Sequence, residues 1–340
     1  MSEYRPRVSI CIPVYNQRGA FLRACLQSAL NQTYRTLEIV VSDNHSTNET
    51  PEILAEFTDP RLKVVKPPAH LIMSAHFAFA AQQCTGDYLC FLPSDDLLQP
   101  DCCERLVSVL MSHPQASFGF GAWRYIDIQG DTQFAPHTTN RIYIRDGRQE
   151  LQKFIVGNQD WILGALIRRD IYEQVGGINT DLVYGFDWHL ALRLLTVGQV
   201  IWYDAIVASV RTWYSPERAT RFISIGSVRD YRLIFDFLGS PDFIGYVVGG
   251  SATVARARRA VAFAISRALL RVGHRLPRAE LEAVICELQL IDQSRRSKLM
   301  LWLVQTPFAR PLGLLSALIY KGQVMCVQLL DRFQLRTMHR

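Results

Sequence analysis

The sequence predicts an α/β fold with a mixed, mostly parallel sheet flanked by helices, followed by a helical carboxyl-terminal region. Two observations carry this. Strand-length apolar runs alternate with helix-period segments over the first hundred residues, the pace of βαβ units. After about Ser224 strand patterns vanish and only helical spacing remains. With 49% hydrophobic and 20% charged residues in 340, a full core is expected and disorder is not.

The elements follow in order. Val8-Ser-Ile-Cys-Ile is a short strand broken by Pro13-Val-Tyr-Asn. Phe21, Leu22, Cys25, Leu26 and Ala29 then keep helical spacing. Leu37-Glu-Ile-Val-Val is the second strand, ending at Ser42-Asp43-Asn44. Thr50 is expected to cap a helix over Pro51–Phe57. Leu62-Lys-Val-Val is the third strand, stopped by Pro67-Pro68. A small-residue helix over Ser74–Gln83 leads through Gly86 to a buried strand, Tyr88–Leu92. Gly164-Ala-Leu-Ile is a further strand candidate, Val175-Gly-Gly-Ile a turn, Asp187–Leu195 a helix and Ile201–Val210 a strand. The expected division is an α/β domain over 1–222 and a helical, basic region over 223–340.

The eight cysteines show no Cys-x-x-Cys pair or zinc-like spacing; Cys11, Cys25, Cys84 and Cys90 read as small buried hydrophobes, and reduced thiols are expected. Val8 to Val14 is too short for a signal segment. No apolar run is long enough to span a bilayer, so a cytoplasmic location is expected. The net charge of +6 is uneven. Between Ser251 and Glu280 there are seven arginines and one acid. On a helix, Val254, Val261, Ile265, Leu269 and Val272 share one side, with Arg256, Arg267, Arg271 and Arg278 opposite. That pattern suits a membrane surface or partner, and equally an ordinary helix with a solvated basic face.

Three strand ends are expected on one edge of the sheet: Pro13–Asn16, Asp43–Ser46 and Ser94–Asp96. In open α/β sheets, ligands bind outside the carboxyl ends of the strands. Adjacent carboxylates such as Asp95 and Asp96 can hold a divalent cation against a diphosphate, since Mg²⁺ takes one or two carboxylates plus substrate phosphates. The plain alternative is an acidic loop leading into a helix with Pro100 in its first turn.

Taken in order, Pro13-Val-Tyr-Asn, Ser42-Asp43-Asn44-His-Ser, Thr85-Gly-Asp-Tyr with Ser94-Asp95-Asp96, Val175-Gly-Gly-Ile-Asn, and Phe186-Asp187-Trp188 with Leu192-Arg193-Leu194 resemble the family-2 glycosyltransferases. These motifs span roughly 8–214. The resemblance implies a GT-A, Rossmann-like fold and an inverting transfer of one sugar from a nucleotide-diphosphate donor to a hydroxyl acceptor, helped by Mg²⁺ or Mn²⁺. There are departures. Pro93 precedes Ser94-Asp95-Asp96 where the family often has a third acid, and Phe186 precedes Asp187 where it usually has Glu. His76 lies near the position of a usual Asn, and the Gln-x-x-Arg-Trp motif of processive synthases is absent.

By this resemblance Asp43 contacts the base, while a turn acid bonding its own backbone is the alternative. Pro13, Tyr15 and Asn16 line the nucleotide pocket with Ser94. Asp96 is the first-choice metal ligand, with Asp95 on the metal or the ribose. Asp187 is the general base that takes the acceptor proton, or else a helix-capping residue. Trp188, Asp160 and Trp161 are weaker acceptor-side candidates, with core packing the alternative for Trp188. Asn158 and Gln159 stand with Asp160 and Trp161 before the Gly164 strand, where by position they meet donor sugar or acceptor. Arg211, Arg218 and Arg221 form a basic loop that either closes over the diphosphate or is merely solvated.

The implied partners are a nucleotide sugar, with a UDP-sugar favoured, and a glycan or lipid-linked acceptor in bacterial cell-surface glycan synthesis. Contact with the inner face of the cytoplasmic membrane follows from that acceptor, and a homo-oligomer is left open. Nucleic-acid binding is not expected, because the strand ends are acidic and no reading motif is present. The runner-up is a catalytically idle relative that binds nucleotide or glycan within a synthase complex.

Overall fold

A computed structural model describes residues 4–155, 157, 161–212 and 223–306. The chain divides into two compact units, Met1–Trp213 with Ser240–Gly250, and Tyr214–Gly239 with Ser251–Arg340. The joining of Ser240–Gly250 to the first unit had no counterpart in the sequence pattern.

Among the described residues the first unit carries a ten-stranded sheet. Its parallel half is β1 (Val8–Val14), β2 (Leu37–Asp43), β3 (Leu62–Val65) and β4 (Tyr88–Phe91). Every residue of β1 and β2 is buried, as strands covered on both faces must be, hence their near-continuous apolar runs. The connecting helices are α1 (Gly19–Leu30), α2 (Thr50–Ala55) and α3 (Met73–Gln82). On α1 the buried side is Phe21, Leu22, Cys25, Leu26 and Ala29, the spacing read from sequence. The cap of α2 is Glu49 rather than Thr50; Thr50 is the first helical residue, and its N–H goes to Asn48 Oδ1 at 3.1 Å.

Glu38, a buried acid in β2, fixes the entry to β4. It accepts from Ser9 Oγ at 2.5 Å, Thr85 N–H at 2.6 Å and Gly86 N–H at 3.2 Å. Burial pushes its carboxyl up, but bonds from Ser9 and Thr85 and the Arg7 charge hold it below the usual range. Position 86 admits only glycine without rearrangement, because a Cβ would lie 2.7 Å from the Arg7 carbonyl oxygen.

The rest of this unit is β5 (Leu97–Leu98), α4 (Cys102–Ser112), β6 (Ala116–Ile126), β7 (Thr132–Phe134), β8 (Ile142–Asp146), α5 (Gly147–Phe154), β9 (Leu166–Arg168), α6 (Arg169–Gln174), α7 (Phe186–Leu194) and β10 (Gln199–Arg211). The sheet order is β3-β2-β1-β4-β9-β6-β10-β5. β9 lies antiparallel between β4 and β6, and β10 runs parallel to β6. The strand expected from Gly164 starts two residues later, since Gly164 sits at φ +69° and turns the chain.

The second unit is helical: α8 (Ile225–Leu238), α9 (Gly250–Val272), α10 (Arg278–Ile291) and α11 (Arg295–Val304). Its core includes Val228, Ile265, Leu269, Val284, Leu288 and Leu301. The basic helix expected through Glu280 breaks at a 3₁₀ turn, Gly273–Arg275, so Arg278 opens a different helix. Among the described residues no helix is long and apolar enough to cross a membrane.

Candidate active site

The parallel half of the sheet brings its carboxyl ends to one edge. Val14 stands opposite Asp43, and Cys11 opposite Phe91, two residues before Pro93. Side chains then join the three loops. Asn16, at φ +45°, donates its N–H to Ser46 Oγ at 2.9 Å and accepts Thr47 N–H on Oδ1 at 2.7 Å. Gln17 Nε2 donates to Ser94 Oγ at 3.0 Å. Asp43 Oδ1 accepts from Ser46 N–H at 3.0 Å, the turn-type bond weighed above; no bond from a described residue is recorded to Oδ2. Asn44 pairs through both side-chain atoms with the backbone of Leu71, at 2.9 and 2.8 Å. Pro13 is buried, while the Tyr15 ring is half-exposed, 4.6 Å from that of His70.

Behind this edge, His76 Nε2 lies 3.0 Å from the Ser42 carbonyl and 2.9 Å from its hydroxyl. Burial pushes the His76 imidazole down to about 4, despite Asp43 nearby. It is therefore neutral at pH 7 and ties α3 to the end of β2.

The acid pair follows a tight turn in which Asp96 N–H donates to Pro93 O at 3.0 Å. Both carboxylates are about nine-tenths buried. Asp96 Oδ1 accepts the backbone N–H of Arg211 at 2.8 Å. The Arg211 side chain, 3% exposed, lies beneath them. Its Nε donates to Asp95 O at 3.0 Å and its Nη1 to Asp127 O at 2.7 Å, and the guanidinium covers the Phe21 ring at 4.4 Å. This corrects the reading of Arg211 as a loop cation over a diphosphate: it is a buried prop of the acidic turn. Arg218 and Arg221 lie outside the described residues. The neighbouring Cys25 thiol is pushed well up by burial, and by the Asp96 and Asp95 charges, so it is protonated.

Asp187 sits in the first turn of α7, one residue past Phe186, with Gly185 at the cap. It is therefore not the cap itself. Its Oδ1 accepts Trp188 N–H at 2.7 Å, and its carbonyl accepts Trp161 Nε1–H at 3.2 Å. The helix is anchored at both ends. Trp188 Nε1 donates to Phe154 O at 2.6 Å, and the Phe186 ring lies 5.0 Å from Phe77, itself 5.9 Å from Phe91 at the end of β4. In the last turn, Arg193 donates to the carbonyls of Val175 and Gly177. That contact explains two motifs at once: Gly176 and Gly177 adopt φ +80° and +60°, and the turn they form presents its carbonyls to the Arg193 fork. The His189 imidazole is pushed down to about 3 by burial, with Arg193 adding to the effect.

Two acceptor-side expectations fail. Trp161 and Trp188 are each 1% exposed, so neither ring has a face for a sugar. Asp160, with Asn158 and Gln159, lies outside the described residues. Gln17 and the supporting role of Arg211 were missed, because long polar side chains following strands read as surface; Arg193 stood in a quoted motif, but without the role its carbonyl contacts give it.

Among the described residues no cluster of three metal-ligating side chains occurs. The side-chain oxygens of Asp95 and Asp96 are the donor type a hard cation takes, and a bound diphosphate would supply the remaining ligands.

Residues 9–176 match the family described as Glycosyl transferase family 2. An uncharacterized glycosyltransferase of Haemophilus influenzae is 27% identical over 167 residues, covering 48% of this chain and 63% of that one. The chain spans between 12% and 63% of the length of the first curated relatives it matches. Among solved structures, residues 1–349 of TarS from S. aureus, in complex with UDP-GlcNAc, superpose with a TM-score of 0.59 at 14% identity, over 91% of this chain and 89% of that one. The mannosyltransferase PcManGT from Pyrobaculum calidifontis, in complex with GDP-Man and Mn²⁺, gives 0.56 at 18% identity, over 93% and 87%. The matched segment holds β1 to β4, Asp43 and the acid pair, and the fold is GT-A; over residues 9–176 the chain belongs to glycosyl transferase family 2.

Proposed function

We propose that this chain transfers a single sugar from a nucleoside-diphosphate donor to an acceptor hydroxyl, with inversion. The observation that supports this best is the joining of three parallel strand ends by Asn16, Gln17, Asp43 and Ser94, with Asp95 and Asp96 in the same loop system. Asp43 reads the base through its second carboxylate oxygen, and Tyr15 and Asn16 line the nucleotide. Asp95 and Asp96 hold Mg²⁺ or Mn²⁺ with the diphosphate, with Asp95 also within the ribose region. When bound, such a cation supplies Lewis-acid neutralisation of the leaving group. Arg211 keeps the acidic turn in shape from below.

Asp187 is the general base. Its place in the first turn of α7 sets the carboxylate at the positive end of the helix dipole, where Oδ1 accepts Trp188 N–H at 2.7 Å. The donor is a UDP-sugar, in line with the UDP-GlcNAc complex of TarS, and the acceptor is a glycan or lipid-linked glycan of the bacterial surface. An idle nucleotide-binding relative is the second reading, favoured by Phe186 standing before Asp187.

The test is nucleoside-diphosphate release from UDP-, GDP- and dTDP-sugars with Mn²⁺. Asp187→Asn should lower turnover by about 10²–10⁴-fold while donor affinity stays as in the wild type. Equal turnover in Asp187→Asn removes the base assignment. Donor binding without release by the wild type supports the idle relative.

A further inference from the structure

We propose that the outer faces of α9 and α11 form a docking surface for an anionic lipid bilayer. The proposal extends the acceptor reading above, but its test reads no sugar transfer.

Helix α9 contains five arginines and no acid. Arg258 turns inward, where it pairs with Asp236 at 2.7 Å and lies over Phe235. Arg256, Arg259 and Arg271 are exposed, and among the described residues no carboxylate lies within ion-pair distance of them. Positions 256, 259, 260, 263, 267 and 271 follow helical spacing, so these cations share one stripe with Phe263, which is 41% exposed.

Helix α11 repeats the arrangement. Ser297, Leu301 and Val304 face the core. Arg295, Lys298, Leu299 and Trp302 face outward at spacings of three, four and seven, with Leu299 57% and Trp302 60% exposed. Between the two helices lies a cleft of about 480 Å³, lined by Arg256, Arg259 and Phe263 on one side and Ser294 and Ser297 on the other. The acid of that lining, Asp292, is bound by the Ser294 and Ser297 hydroxyls at 2.7 and 2.6 Å.

The chemistry selects the occupant. A cationic stripe attracts a polyanion, and large apolar side chains beside it add a partner with a hydrocarbon interior. Tryptophan favours the headgroup level, where its ring is apolar and its N–H stays wet. A basic amphipathic face of this composition lies in the interface plane. The exposed arginines of the α9 stripe meet the headgroup phosphates.

The experiment is sedimentation of the full chain with phosphatidylcholine vesicles, with and without phosphatidylglycerol. Binding is expected only to the anionic vesicles, strong at low salt and lost at high salt. Arg256→Glu with Arg259→Glu should weaken it at least about 25-fold, roughly fivefold per cation removed. Trp302→Ala should weaken it with less dependence on salt. Because these residues are exposed, circular dichroism should be unchanged. The proposal is overturned if the chain ignores anionic vesicles, if the double variant binds like the wild type, or if neutral vesicles bind equally. It is also overturned if the chain stays with single-stranded RNA or in a self-dimer while vesicles leave it in the supernatant.

Discussion

Arg211→Met should show how much the acidic turn depends on the cation beneath it. The substitution keeps an unbranched apolar stem over Phe21 and removes the guanidinium. Its bonds go with it, among them Nε to Asp95 O at 3.0 Å and Nη1 to Asp127 O at 2.7 Å and to Ile128 O at 3.3 Å. Hydrogen bonds to charged groups contribute about 1.5–3 kcal/mol each. Removing one partner from a buried charged arrangement costs about 3–5 kcal/mol. Both routes lead to roughly 3–5 kcal/mol lost, because the backbone bond from Arg211 N–H to Asp96 survives the change. At about 2–4 °C per kcal/mol for a domain of this size, the melting temperature should fall by roughly 6–20 °C. Arg211→Lys keeps the charge without the fork and should recover part of the loss. Scanning calorimetry and denaturant titration read both. A loss below about 1 kcal/mol, typical of a surface residue, would refute the role of Arg211 as a buried prop.

Two further predictions concern stability. His76 and His189 are held near 4 and 3 in the fold, while an unfolded histidine titrates near 6.5. Between those values the unfolded chain binds more protons, so stability is complete above about pH 6.5 and declines as pH falls toward 4, by on the order of 3 kcal/mol per residue. Thermal unfolding at pH 7 and pH 5 should show this loss, and His76→Asn should flatten it; an unchanged pH profile in that variant would contradict the burial argument. Gly177→Ala places a Cβ 3.1 Å from the Tyr172 ring at φ +60°. It should destabilise by about 1–3 kcal/mol in denaturant titration, and a neutral result would show that the turn adapts.

The parallel half of the fold was legible because its strands are covered on both faces, which leaves continuous apolar runs at Val8, Leu37 and Tyr88. The insertion of β9 between β4 and β6 was not, since that pairing joins residues about 50 to 80 apart in sequence and leaves no local pattern. Gly164 looked like the start of a strand because its left-handed φ is invisible in composition. At the candidate site, Asp43, Asp95 and Asp96 stood out because each stands at the end of an apolar strand run and the motifs around them occur in family order. Arg211 misled for the complementary reason: an arginine after a strand is ordinarily solvated, and contacts distant in sequence, with Phe21, Asp95, Asp127 and Ile128, bury it. Trp161 and Trp188 could be assigned to sugar or core only by their surroundings, and both indole N–H groups proved to serve backbone carbonyls.

Isothermal titration of UDP, GDP, dTDP and CDP, with and without Mn²⁺, into the wild type and a folded Asp96→Asn variant tests the acid pair most directly. At least one nucleoside diphosphate should bind the wild type more tightly with Mn²⁺, and Asp96→Asn should abolish that enhancement while leaving weak metal-free binding. Metal-enhanced binding that survives in Asp96→Asn, or failure of all four nucleotides to bind the wild type, would contradict it.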